Sequence, residues 1–462
     1  MDTDADYPRT LIVGAHFTEQ SGSGTFLGRL FSGWPPDRLA TACGGASIPD
    51  WHRCRRHYHT GDLEFRLQAP FKWMVPANAS GPVLASATAA SPAIATPPTI
   101  SLGRRLAQYP WRALLQLLGG GEILYRVSPS PQFLCWVREF QPEVLYGHCS
   151  SLNSVRFVRR MQQALGLPLV FHFMDDFPEA YYRDGLASRF LRPHYLTEFA
   201  ELVRSADVAI AICREMAEEY EKRYQRPVLW LPMPVELGAY RAAARTQWTA
   251  GRPFRLRYGG RVGWAIRQSL ADLAGVVHAL RQNGADVVFD LVTFQTEEVP
   301  AACLASTGVT VQSPRPLAEV PGLQAEADVL IVCYDFDSES FRQARYSMPS
   351  KLADCLASGT PILVYGPAGL PVVEYARREG WGKVVDRRDP VALRAAVREL
   401  MDSAALREQL GRNAKRLATE WHDATAVSEE MRRILTAAGN REPSFVTEQQ
   451  TRLGCRRESL ER

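Results

Sequence analysis

The apolar residues of the chain gather into short, mainly apolar runs, and between the runs they recur every three or four positions. Thr10–Ala15, Val144–Gly147, Leu169–Phe173 and Ser205–Cys213 are such runs in the first half; Phe254–Tyr258, Val287–Val292, Val309–Val311, Val329–Tyr334 and Pro361–Tyr365 are their counterparts in the second. Runs of this kind predict strands buried on both faces, as in parallel sheets. Helical spacing predicts helices over Phe26–Phe31, Gln132–Phe140, Ser150–Leu165, Arg192–Val203 and Arg214–Tyr224. It predicts them again over Ser269–Gln282, Pro316–Ala327, Pro390–Asp402, Ala405–Trp421 and Ala424–Ala437. The alternation occurs twice, so the expectation is an α/β chain of two Rossmann-like, doubly wound domains at 1–236 and 253–437, joined by a polar linker at 237–252 and followed by a polar, disordered tail at 438–462. Residues 76–101 hold too little bulky apolar material to pack and read as a mobile insertion. In such a chain the loops after the strands share the carboxyl edge of each sheet, where ligands of these folds sit.

One stretch concentrates the chemistry. Within Tyr346–Leu363, Pro349 suits the first position of a helix, and Ser350 can offer a hydroxyl to its free backbone donors. Leu352, Cys355 and Leu356 mark a buried face, Ser350 and Asp354 share another, Gly359 closes the helix and Pro361 prevents its continuation. Free N–H groups, the helix dipole and Lys351 together predict a phosphate site, with Asp354 roughly 6 Å further along. That offset suits a nucleoside diphosphate with its ribose hydroxyls on the carboxylate; the alternative is an ordinary capped helix feeding a strand.

The segment Pro349–Ile362 resembles the donor-site helix of family-4-type glycosyltransferases of the GT-B fold. The resemblance implies two Rossmann-like domains facing a central cleft, with a nucleotide-sugar on the C-terminal domain and an acceptor on the N-terminal one. It places Asp354 where the family has a ribose-binding glutamate, and Tyr346 where it often has a sugar-binding one, so the chain departs from the pattern at both. It further implies transfer of a sugar to a hydroxyl with retention at the anomeric carbon, without a metal or other cofactor.

In the first domain, Gly22, Ser23, Gly24 and Thr25 read as a glycine-rich loop whose spacing does not fit a dinucleotide fingerprint. By the resemblance such a loop faces the cleft and touches donor phosphate or acceptor. His148, His172, Asp175 and Asp176 lie at or near strand ends. The resemblance makes His172 and Asp176 the candidates for orienting or deprotonating the acceptor hydroxyl, with His148 and Asp175 on the acceptor side; the alternative is that the two aspartates cap the next helix. Trp51–His59 gathers three histidines and a cysteine, but without zinc-ligand spacing and among arginines, so it reads as a basic aromatic loop or strand edge.

In the second domain the first strand runs into Gly259, Gly260 and Arg261, with Arg267 beyond. Glycines admit a ligand to the backbone, and arginines reach phosphate oxygens with bidentate geometry. By the resemblance Arg261 matches the first of a basic pair and Arg267 approximates the second; Arg342 or Arg345 can also reach phosphate. Asp335 and Asp337 follow a strand in a pattern that can hold a divalent metal on a diphosphate. The two-domain rhythm favours a solvated loop there, and no metal site is expected.

Composition narrows the partners. A net charge of +4 on 462 residues argues against a dedicated nucleic-acid binder. Nine scattered cysteines read as reduced core residues of a cytosolic protein. Met1–Thr10 is too acidic and polar for a signal peptide, and no apolar run reaches the roughly 18 residues of a spanning helix. The basic, aromatic stretch Arg104–Arg126 reads as a core helix, with peripheral contact to a membrane carrying a lipid-linked acceptor as the alternative. The expectation is a cytoplasmic glycosyltransferase, at the inner face of the membrane in that alternative. It would take a nucleotide-diphosphate sugar and a glycan or lipid-linked acceptor, and act in cell-surface glycan or polysaccharide synthesis. A sugar-nucleotide epimerase of the same fold and a catalytically silent binding subunit are the alternatives.

Overall fold

The structure is a computed structural model that describes residues 6–18, 22–45, 49–69, 72, 78–83, 119–183, 188–243, 245–263, 265–442, 445–446 and 448–449. Contacts divide the chain into two units, one of Met1–Leu231 with Ser428–Arg462, the other of Pro232–Val427.

The first unit contains β1 (Thr10–Val13), β2 (Leu39–Cys43), β3 (Arg56–His59), β4 (Phe65–Leu67), β5 (Gly81–Val83), β6 (Tyr125–Val127), β7 (Val144–Gly147), β8 (Leu169–Phe173), β9 (Val208–Ala211) and β10 (Leu229–Trp230). Its main sheet runs in the order β10-β9-β8-β7-β1-β2-β3-β5. Only the β3–β5 pair is antiparallel there. Strands β1, β7, β8 and β9 are buried along their whole length, which is why their sequences are mainly apolar rather than alternating. β1 lies between β7 and β2, so the winding reverses at its carboxyl end.

Two expectations change in this unit. Residues 78–83 are not an unpacked insertion. Polar side chains anchor them where apolar ones are lacking: Ser80 Oγ accepts from Gly61 N and Leu63 N at 3.0 Å each, Asn78 N donates to Asp62 at 2.9 Å, and Gly81–Val83 pairs with β3. The rest of that predicted insertion, and Arg104 to residue 118, lie outside the described residues; Gly119–Leu124 is a 3-10 helix leading into β6. The histidine-rich segment forms β3 inside the sheet, where His57 hydrogen-bonds with Thr41 Oγ1 (2.6 Å) and the Cys54 carbonyl (2.8 Å). Among the described residues no group of three His, Cys, Asp or Glu side chains converges as a metal cluster.

The second unit holds β11 (Phe254–Gly259), β12 (Val287–Val292), β13 (Val309–Gln312), β14 (Val329–Cys333), β15 (Ile362–Tyr365) and β16 (Gly382–Val385), in the order β13-β12-β11-β14-β15-β16. Every pair is parallel, and the winding reverses between β11 and β14. Leu256, Phe289, Leu291, Ile331 and Leu363 meet in its core with Leu270, Leu273 and Val277 of the helix Arg267–Gln282. The expected linker belongs to this unit. Trp248 is buried and donates to the Gly359 carbonyl at 2.9 Å, and Arg245 donates to the Ala327 carbonyl at 2.8 Å. Two anchors suffice to fix a stretch whose composition is otherwise polar. At the other end, the helix Ala424–Gly439 passes to the first unit from Ser428 onward, whose hydroxyl donates to the Ser32 carbonyl at 2.6 Å. Most of the predicted tail beyond it lies outside the described residues.

Candidate functional site

The carboxyl edge of the second sheet is built from backbone outward. Gly260 N donates to the Val292 carbonyl at 2.9 Å, Tyr258 Oη donates to the Arg261 carbonyl at 2.6 Å, and Val262 N donates to Gln295 Oε1 at 3.0 Å. These bonds fix the loop that carries Arg261. A Cβ at Gly260 would stand 2.8 Å from Tyr258 Oη and 3.0 Å from Lys351 Nζ, so glycine is what lets the lysine approach. Lys351 Nζ donates to the Gly259 carbonyl at 3.0 Å. The residue is exposed as a whole, but its ammonium lies against this backbone, and that local desolvation lowers its pKa from the ordinary value. Arg261 and Arg267 are exposed, Arg267 as the first residue of the helix Arg267–Gln282. The structure therefore brings Lys351 to the Gly259–Arg261 loop, on the strand where the winding reverses.

The helix behind Lys351 is shorter than predicted. It spans Leu352–Ser358, preceded by a turn in which Leu352 N donates to the Pro349 carbonyl at 3.0 Å, and closed by Gly359 in the left-handed conformation. Ser350 is exposed in that turn and is not the cap; Lys351 occupies the cap position, where its side chain makes no capping bond. Within this helix Asp354 is buried. Its carboxylate accepts from Tyr240 Oη at 2.9 Å, so Asp354 and Ser350 do not share an exposed face.

The neighbouring carboxylates have structural partners. Asp335 accepts from Ser269 N at 2.7 Å and Gln268 N at 3.2 Å, occupying the amino end of the helix Arg267–Gln282. Asp337 accepts from Glu339 N (3.0 Å), Ser340 N (2.9 Å) and Ser340 Oγ (2.6 Å), and the bonds from Ser340 hold its pKa below the usual carboxylate value. Asp335 is buried rather than the solvated loop residue expected, whereas Asp337 is exposed and caps the helix Ser338–Ala344. Arg342 pairs with Glu339, and Arg345 lies over the Tyr346 ring at 5.1 Å.

The carboxyl edge of the first sheet is more deeply packed, with His148 half-buried and Asp175 exposed at its rim. Gly14 follows β1 at φ +92°, and a Cβ there would fall 1.7 Å from the His148 carbonyl oxygen. Only glycine permits that approach, and although Gly14 directly ends the first strand, its sequence context lacks the repeated glycines that mark a ligand loop. His148 follows β7; burial lowers its pKa, against a smaller opposing pull from a hydrogen bond to the His172 backbone. His172 lies within β8, 1% exposed, with Nδ1 at 2.8 Å from Tyr146 Oη and the Phe26 ring edge-on at 5.6 Å. Burial, with His148 adding a smaller push, lowers its pKa to about 3, and its Nε2 has no hydrogen-bond partner.

Asp176 does not join them. Its carboxylate accepts from Tyr220 Oη at 2.7 Å and from Arg223 at 3.0 Å with its side chain fully buried. A carboxylate enclosed by these partners is out of reach of an acceptor, and the catalytic expectation for it is corrected to a structural one. Asp176 does not cap the following helix through its side chain either: it precedes Phe177–Ala180 without such a bond. Gly22, Ser23, Gly24 and Thr25 are likewise not a loop. They form the first turn of the helix Gly22–Leu30, because Gly24 lets that turn lie on Thr18, whose carbonyl oxygen would be 2.3 Å from a Cβ at this position.

With this geometry, likeness to known proteins becomes informative. Residues 82–235 match the family of glycosyl transferase 4-like domains. Among solved structures, HepE from Anabaena in complex with UDP and glucose aligns at 13% identity and TM-score 0.58 over 93% of this chain and 100% of its own. Sucrose-phosphate synthase from Thermosynechococcus elongatus aligns at 13% and 0.60 over 92% of this chain and 98% of its own. The α,α-trehalose-phosphate synthase (UDP-forming) of Burkholderia xenovorans, in complex with glucose-6-phosphate, aligns at 10% and 0.54 over 92% and 99%. The fold is that of the GT-B glycosyltransferases. No curated protein sequence matches the chain. The resemblance carried by Pro349–Ile362 is thus borne out in the glycosyl transferase 4-like domain and in the fold. No helix among the described residues is long and apolar enough to cross a membrane.

Proposed function

We propose that this GT-B chain transfers a sugar, with retention, from a nucleoside-diphosphate sugar to a hydroxyl acceptor, and that the carboxyl edge of the second sheet holds the donor. The observation that carries the reading is the placement of the Lys351 ammonium on the Gly259–Gly260 backbone next to Arg261. One ammonium proton goes to the Gly259 carbonyl, which leaves donors for a phosphate oxygen. As the bond from the anomeric carbon to the diphosphate breaks, negative charge gathers on the leaving oxygens, and fixed cations stabilise it without reorganising. Arg261 and Arg267 stand on the same edge, and Ser350 adds a hydroxyl in the turn before Lys351. These groups take the role a divalent ion would otherwise have, so transfer is independent of metal. Asp354, steadied by Tyr240, is the carboxylate for the ribose hydroxyls. On the acceptor side we assign the half-buried His148 and the exposed Asp175 to orienting the hydroxyl of a glycan or lipid-linked glycan in cell-surface polysaccharide synthesis at the cytoplasmic face, with the buried His172 positioning His148 from behind.

The test is calorimetric titration with UDP, GDP, ADP and dTDP, with and without magnesium, on the wild-type chain and on Lys351→Ala. Removing one charge-assisted hydrogen bond to phosphate costs about 1.5–3 kcal/mol, or roughly ten- to a hundredfold in affinity. Metal-independent binding of a nucleotide, weakened by that factor in the variant, is the expected result. Absence of binding at millimolar concentration would move the reading to a silent subunit.

A further inference from the structure

Phe294 is 85% exposed, more than any other large apolar side chain among the described residues. A single exposed apolar residue is ordinary on a protein surface, so its exposure means little by itself. Its setting is different. It follows Thr293 at the carboxyl end of β12, the strand beside β11, with Val292 paired in register to Gly259. Thr293 is buried, and its N donates to the Gln312 carbonyl at 3.0 Å. On the other side, Gln295 N donates to Thr293 Oγ1 at 3.1 Å, Gln295 Nε2 donates to Glu298 Oε1 at 3.1 Å, and Gln295 Oε1 accepts from Val262 N at 3.0 Å. The backbone flanking Phe294 is thus tied to the same loop that carries Arg261, while the ring is held out in water. One strand spacing, about 4.8 Å, separates β12 from β11.

We propose that Phe294 is the stacking platform for the nucleobase of the donor. This rests on the donor-site reading above: with the diphosphate on Lys351 and Arg261, the nucleoside lies along the carboxyl edge, where Phe294 stands exposed after the strand next to β11. Stacking on an aromatic ring accepts any base, since every base has a π face. Phe294 therefore contributes affinity for a nucleotide over a bare diphosphate, and does not choose between bases.

The experiment compares wild type, Phe294→Ala and Phe294→Trp in titrations with the four nucleoside diphosphates and with inorganic pyrophosphate. Because the side chain is exposed, both variants are expected to keep the wild-type melting temperature. Phe294→Ala should bind nucleotide about five- to a hundredfold more weakly while its pyrophosphate affinity stays unchanged. Phe294→Trp should retain nucleotide affinity and add a fluorescence quench on nucleotide addition that pyrophosphate does not produce. Nucleotide affinity of Phe294→Ala within about twofold of wild type, equal losses for nucleotide and pyrophosphate, or a change confined to the acceptor's KM would each overturn the stacking role while leaving the donor site intact. A wild-type chain that binds none of the nucleoside diphosphates overturns the donor-site reading, and this inference with it.

Discussion

The two sheets bring similar residue types to their carboxyl edges and put them to opposite uses. At the edge of the first, Asp176 has its carboxylate shared between Tyr220 and Arg223 and none of it in water. At the edge of the second, Arg261 and Arg267 are exposed and Lys351 rests on one carbonyl of a pinned glycine loop. Burial with partners turns a charged group into a structural bolt; exposure on a fixed backbone leaves it able to meet a ligand. Position after a strand therefore does not separate the two cases, and the number and depth of partners does. The sharpest way to break the comparison is to remove Asp176. Asp176→Ala leaves Arg223 and Tyr220 without their acceptor, and breaking a buried ion pair in this way costs about 3–5 kcal/mol. Urea unfolding followed by circular dichroism should report a loss of that size for Asp176→Ala, and less than about 1 kcal/mol for Asp175→Ala. If Asp176→Ala instead unfolds like wild type and abolishes sugar transfer, the carboxylate is catalytic and the contrast fails.

How much of this was legible in the sequence follows from the same contrast. Strands buried on both faces announce themselves through short, mainly apolar runs, even where His172 or Asp290 interrupts them; Val144–Gly147, Leu169–Phe173 and Val287–Val292 fall where predicted. The helix Arg214–Tyr224 does too. The cation loop was readable because glycines beside arginines after a first strand leave a local mark. Partners distant in sequence leave none. Nothing near Asp176 announces Arg223, nothing near Asp354 announces Tyr240, and nothing near Asp335 announces the amino end of the helix at Arg267. Gly22–Thr25 reads as a loop because four small residues look flexible, whereas Gly24 is small so that a helix can lie on Thr18. Phe294 carries no motif at all; only its exposure beside pinned neighbours distinguishes it.

A smaller effect sharpens the comparison through pH. His172 is held neutral by burial, with its pKa lowered from 6.5 to about 3. As pH falls through 6.5 the unfolded chain takes up a proton at this residue and the folded chain does not, so stability is complete above that pH and is lost between 6.5 and about 3. From pH 7 to pH 5 the loss is about 2 kcal/mol for one such histidine. His57 and His422, each lowered by burial to about 4, act with the same sign. Denaturant unfolding at the two pH values should therefore show a steep decline in wild type that is shallower by about 2 kcal/mol in His172→Asn. An unchanged slope would mean that the imidazole titrates freely in the folded chain and that the first edge is more open than its packing indicates.

The smallest effect concerns Asp337, the residue whose sequence context offered a metal site and whose geometry offers a cap. Asp337 accepts from two backbone N–H groups at the start of the helix Ser338–Ala344 and from the Ser340 hydroxyl. Replacing an aspartate cap by alanine costs typically about 1 kcal/mol. Asp337→Ala should lower unfolding stability by that amount and leave nucleotide affinity the same with and without magnesium. The carboxylate is satisfied by three short bonds from its own helix, so a cation would have to displace at least one of them to gain a ligand, and Asp335, already bonded to Gln268 and Ser269, faces the same competition. Magnesium-dependent nucleotide binding in wild type that disappears in Asp337→Ala would show that the cation wins that competition. The second edge would then hold its donor through a metal as well as through Lys351 and Arg261.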